Sequence, residues 1–126
     1  MAFDPRLPIY LQIMENIKKD IVAGKLKGGD KMPSVRSLAE ELKVNVNTVQ
    51  RVYQELEREG VLLSQRGIGS FVTNDEETLA RIKREMAREL LETFVRGMRE
   101  LGFSKEETLT ALQAYMEGEQ DGNLNG

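Results

Sequence analysis

Apolar residues recur at steps of three and four along most of this chain, and the stripes they form lay out its elements. Ile13, Ile17 and Ile21 stand four apart, with Tyr10 and Met14 beside them. This predicts an amphipathic helix over residues 8–23, led in by Pro8 and stopped by Gly24. Gly28, Gly29 and Asp30 predict a turn, followed by a short extended piece. Pro33 blocks backward growth of the next helix and Ser34 can cap it. A short helix therefore starts near Val35, carries Leu38, Ala39 and Leu42 on one face, and ends near Lys43. Asn45 caps a further helix, along which Val49, Val52, Tyr53 and Leu56 build an inward stripe.

Gly60 stops that helix and the pattern changes. Residues 61–64 read as a strand, 65–69 as a glycine-rich tip and 70–73 as the returning strand of a β-hairpin. From residue 75 to 101 there is no proline and acids crowd the first turn. Leu79, Ile82, Met86, Leu90, Phe94, Met98 and Leu101 run down one side of a long helix. Gly102 interrupts it. Ser104 and Glu107 then form a capping box for a last helix with Leu109, Leu112, Tyr115 and Met116 on its apolar face before Gly118. One helical hairpin cannot hide two apolar stripes by itself. The expected cover is the same hairpin of a second subunit, giving a homodimer whose seam holds Leu79, Ile82, Met86, Leu90, Phe94, Met98, Leu109, Leu112, Tyr115 and Met116. The alternative is that both helices fold back on their own N-terminal part. Residues 119–126 have little to bury and are expected to be a flexible tail.

The fold class is therefore mainly α with a small β-hairpin. A helix, a helix-turn-helix and a hairpin, in that order, make a winged helix-turn-helix domain over residues 1–74, followed by a two-helix dimerisation hairpin over 75–118. With 126 residues there is no room for a second sizeable core. The chain has no cysteine and no histidine, which removes disulfides, cysteine metal sites and the commonest neutral-pH base. No catalytic group, metal or cofactor is expected: paired acids such as Glu40-Glu41 and Glu106-Glu107 read as solvated helix faces. No signal-peptide pattern and no long apolar run occurs, so no membrane partner and a cytoplasmic location are expected.

The net charge of −3 hides an asymmetry. Residues 1–74 hold 11 Lys+Arg against 9 Asp+Glu, net +2, whereas residues 75–126 hold 7 against 12, net −5. The cations accompany a polar row, Asn47, Gln50, Arg51, Gln54 and Arg58, left outside the apolar stripe of the 45–59 helix. Asn and Gln can present a paired donor and acceptor to adenine, and Arg can fork onto guanine. A major-groove recognition helix uses these residue types, although a polar outer face is also usual on any surface helix. At the hairpin tip, Gly67 and Gly69 permit a close backbone approach, and Arg66 can enter a narrow minor groove or pair with phosphate. A phosphate-binding reading of Gly28-Gly29 fails for want of the Lys-Ser/Thr that such a loop requires.

Ile9-Tyr10, the run from Met32 to Ala39, the run from Val44 to Val49, the run from Tyr53 to Gly60 and the Arg66-to-Val72 wing resemble the GntR family of bacterial transcription regulators. The resemblance covers residues 8–73. The Asn-x-Asn-Thr-Val start of the recognition helix, joined to a very short C-terminal part, is similar to the YtrA subfamily. It implies a dimeric repressor of a palindromic double-stranded DNA operator, often before genes of ABC-type transporters. It implies DNA contact for Arg36, from the Pro-Ser-x-Arg motif, for Thr48 at a backbone phosphate, and for the wing glycines Gly67 and Gly69. Many family members carry arginines where this chain has Val46 and Gln50, so base contacts here rest on the helical-face argument. The expected DNA-binding set is Ser34, Arg36, Asn45, Asn47, Thr48, Gln50, Arg51, Gln54, Arg66, Gly67 and Gly69. A small-molecule effector, its identity unknown, would have to bind the helices, the dimer seam or the winged domain. Met86, Met98 and Met116 could line such a pocket, although ordinary core filling explains them as well. The rival to a DNA-binding regulator is a winged helix used only as a protein-interaction module.

Overall fold

The computed structural model describes residues 2–120. Its elements are α1 (Ile9–Val22), α2 (Val35–Leu42), α3 (Val46–Arg58), β1 (Leu62–Gln65), β2 (Gly69–Val72), α4 (Glu76–Glu100) and α5 (Lys105–Gln120). Their ends show why they begin and stop there. The Ser34 hydroxyl accepts the Ser37 N–H at 3.0 Å and so caps α2. Lys43 adopts a left-handed conformation, φ +59°, and closes α2. Two residues later Asn45 Oδ1 accepts the Asn47 N–H at 2.7 Å and opens α3, which makes the helix-turn-helix tight. α1 has no side-chain cap. Instead the Gln12 amide donates to the Asp4 and Leu7 carbonyls at 2.8 and 3.0 Å and fastens the residues before the helix.

Ile13, Val49, Val52, Leu56, Val61, Leu62, Val72 and Ile82 form the sealed centre of the core. Tyr53 reaches out of it to donate its hydroxyl to the Pro33 carbonyl at 2.7 Å, tying α3 to the entrance of α2. Burial, with the nearby Glu41 charge adding to it, pushes this phenol up to about 12. An ion pair of 2.7 Å between Lys18 and Glu59 joins α1 to the end of α3.

β1 and β2 pair antiparallel, Leu62 facing Val72 and Gln65 facing Gly69. The strands lie one residue away from the predicted spans on the tip side, so the turn is 66–68, closed by the Ile68 N–H on the Gln65 carbonyl at 2.9 Å. The extended piece before Pro33 joins this sheet: Gly29 and Met32 donate to Val72 and Ser70, and Val72 donates to Asp30. A Cβ at Gly28 would stand 2.6 Å from Asn74 Oδ1. The glycine pair is thus explained by a close approach of the chain leaving β2.

The chain divides into two units, Met1–Arg84 and Glu85–Gly126, ten residues beyond the expected boundary at 74/75. The first turns of α4 belong to the winged unit, because the Arg81 guanidinium donates to the Glu59 carbonyl at 2.9 Å and Ile82 is only 1% exposed. This corrects the assignment of Ile82 to a dimer seam: its own subunit already covers it. Leu79 lies in the same unit, half-buried. In the second unit α5 runs through Gly118 to Gln120. A glycine inside a helix costs roughly 1 kcal/mol and does not stop it without a left-handed turn or a proline. Glu119 and Gln120, expected in the tail, are helical, and the remainder of that tail lies outside the described residues. The capping box forms as expected, Ser104 and Glu107 exchanging bonds of 2.9 and 3.1 Å.

Candidate nucleic-acid interface

α3 turns Val49, Val52, Tyr53 and Leu56 inward, which leaves Asn47, Gln50, Arg51 and Gln54 exposed and Thr48 half-buried. From Lys43 to Gln54 there is no acidic residue. The acids come at the other end of the helix, and each is engaged. Glu55 pairs with Arg58 at 2.8 Å, Glu57 accepts from the Ser70 hydroxyl at 3.3 Å, and Glu59 pairs with Lys18. Arg58, which the helical period places in the outer row, is therefore held by its neighbour. The N-terminal half of α3 presents amides and one guanidinium beside the positive end of the helix dipole.

Two of the expected contact residues have a prior task. Ser34 and Asn45 spend a side-chain oxygen on capping, so each holds a helix start in place at this surface. Arg36, in the first turn of α2, is exposed and has no ion pair among the described residues. Arg66 stands at the wing tip, where Gly67 (φ +78°) and Gly69 (φ +139°) hold conformations that side chains with a Cβ rarely adopt.

Two residues escaped the sequence reading. A Cβ on Gly69 would come to 3.1 Å from Lys31 Cε, so the Lys31 side chain lies against the wing and adds a second cation to it. Only the long-range pairing of Lys31 with Phe71 brings it there. Tyr10 of α1 is the other: the Arg51 guanidinium sits over its ring, 3.7 Å from the centroid. Helical spacing placed Tyr10 beside the α1 stripe but could not show which residue of α3 it meets.

Among the described residues no group of acidic, histidine or cysteine side chains could hold a metal ion, and no helix is long and apolar enough to cross a membrane. In the second unit a concavity of about 370 Å³ is lined by Val95, Arg99, Phe103, Ser104, Lys105, Thr108 and Leu109 rather than by Met86, Met98 or Met116.

A capped helix pair whose second helix opens with an acid-free outer face, together with a glycine-tipped hairpin carrying cations, is a winged helix-turn-helix. Residues 9–72 match the family described as bacterial regulatory proteins, gntR family. The chain belongs to the GntR family, as a YtrA-like member. It is 44% identical over 80 residues to the HTH-type transcriptional repressor YtrA of Bacillus subtilis. The match takes in 62% of this chain and 62% of that protein, so the chain spans less than two thirds of this relative's length. A GntR family transcriptional regulator from Listeria monocytogenes is similar over 89% of this chain and 98% of its own, at 38% identity and a TM-score of 0.83. The DNA-binding domain of AraR, solved in complex with operator ORX1, is similar over 58% of this chain and 93% of its own, at 30% identity and a TM-score of 0.54.

Proposed function

We propose that this chain is a dimeric, sequence-specific repressor that binds a palindromic double-stranded operator in the cytoplasm and controls a transporter-type operon. The observation that carries DNA reading is the outer face of α3. Asn47, Gln50 and Gln54 are exposed, their side chains have no hydrogen-bond partner among the described residues, and no carboxylate lies among them. Base edges in a major groove need such donors and acceptors left free. α3 enters that groove, Arg36 and Thr48 meet backbone beside it, and the wing meets the minor groove or the adjoining phosphates through Arg66, Gly67 and Gly69. The AraR domain solved with its operator supports this reading through its similar fold.

Dimerisation is supported by the second unit considered alone. Leu90, Leu91, Leu101, Leu109, Tyr115 and Met116 are each more than half exposed, while Met86, Phe94, Met98 and Leu112 are half-buried. An apolar surface of this kind marks an association site, and a second copy of the hairpin covers it with a self-complementary patch. For a small-molecule effector the 370 Å³ concavity among the helices of this unit is one place, and the dimer seam and the winged domain are the others. The test is a gel shift on the DNA upstream of the chain's own operon. A complex that survives excess random competitor is expected. A complex that random DNA removes as readily as operator DNA points instead to a winged helix that serves as a protein-interaction module.

A further inference from the structure

We infer that Tyr10 is a positioning residue for DNA reading: its ring holds the Arg51 guanidinium so that the donor edge is already directed outward when the operator arrives. The inference rests on the proposed entry of α3 into the major groove and assigns a role to a helix that does not itself enter it. Arg51 is exposed, and no carboxylate pairs with it among the described residues. Other arginines are differently placed: Arg6, Arg58 and Arg88 each bond a carboxylate close by in sequence. What meets Arg51 is the uncharged face of Tyr10, 3.7 Å away.

That difference matters to a reader of bases. A guanidinium donates through N–H groups in its own plane, whereas stacking uses the faces of that plane. The ring therefore restrains the long side chain without taking a donor or cancelling its charge. A carboxylate would do both. Ordering a free arginine on binding subtracts from affinity, and an arginine already held loses less. The Tyr10 hydroxyl has no hydrogen-bond partner among the described residues, so the ring is the working part.

The full-length chain carrying Tyr10→Phe, Tyr10→Leu, Arg51→Ala or Tyr10→Leu with Arg51→Ala is titrated with operator and with random DNA at one salt concentration, and thermal unfolding is followed in parallel. Tyr10→Phe keeps the operator affinity. Tyr10→Leu loses roughly three- to tenfold on the operator, as for one side chain that must now be ordered on binding, with little change on random DNA. Arg51→Ala loses at least as much, and the double variant binds no worse than Arg51→Ala. If Tyr10→Leu costs as much in the Arg51→Ala background, or weakens random DNA equally, the ring only supports the fold and the inference is overturned. If Arg51→Ala loses affinity and Tyr10→Leu does not, the reading role of Arg51 stands and the positioning role falls. An operator affinity unchanged by Arg51→Ala removes Arg51 from the readers and the inference with it.

Discussion

Along α3, side chains divide by what already holds them. Gln50 is exposed and has no partner among the described residues, so truncating it leaves the fold alone and removes only what DNA would have met. Gln50→Ala should cost on the order of 1–3 kcal/mol on the operator and little on random DNA, because phosphate contacts remain. Equal losses on both would show that Gln50 does not read a base. Tyr53 is the opposite case, nearly sealed and bonded to Pro33. Its phenol is pushed from an ordinary 10.0 up to about 12 in the folded chain. Below pH 10 the phenol is neutral whether the chain is folded or unfolded, and its contribution is complete. As the pH rises toward about 12 the unfolded chain ionises first, so stability falls through that window. Tyr53→Phe should cost about 1 kcal/mol at neutral pH through the lost hydrogen bond and should flatten the alkaline loss. Denaturant unfolding of both proteins from pH 9 to pH 12 measures it, and parallel curves would contradict the assignment.

At the scale of elements, the wing is a hairpin stiffened by a third extended segment, with Arg66 at its tip and Lys31 lying against Gly69. Charge on such an element acts on phosphate whatever the sequence. Arg66→Ala should therefore weaken operator and random DNA together and lower the slope of log affinity against log salt by about one. An unchanged slope would place the wing tip away from DNA. Lys31→Ala, on the same surface, is expected to act in the same way.

For the whole molecule, the boundary inside α4 decides how assembly should be tested. A cut before α4 would remove Ile82 from the core and the Arg81 bond to Glu59, and would confuse folding with assembly. A cut after Arg84 keeps both. It should yield a folded monomer whose operator affinity falls by orders of magnitude, since the second half-site is no longer linked to the first. In the full chain Phe94→Glu should do likewise by placing an unpaired charge in the seam. Sedimentation analysis reads both variants, and a truncated chain that stays dimeric would put the interface in the winged unit.

The helices were legible in the sequence because their causes are local. Ser34, Asn45 and the Ser104–Glu107 box cap the helices they were expected to cap, and the α3 stripe buries the four residues its period selects. The outer row of α3 follows from the same period. What needed the tertiary structure is set by residues far apart in the chain. Lys31 reaches the wing through pairing with Phe71, and Tyr10 meets Arg51 only because α1 is packed beside α3. The Glu55–Arg58 pair, three residues apart on α3, is as local as the caps, whereas Ile82 shows the same limit from the other side. A periodic pattern marks which way a side chain points along its own helix. Whether the winged core then closes over Ile82 is decided by what stands opposite, and the order of residues along one helix does not contain that information.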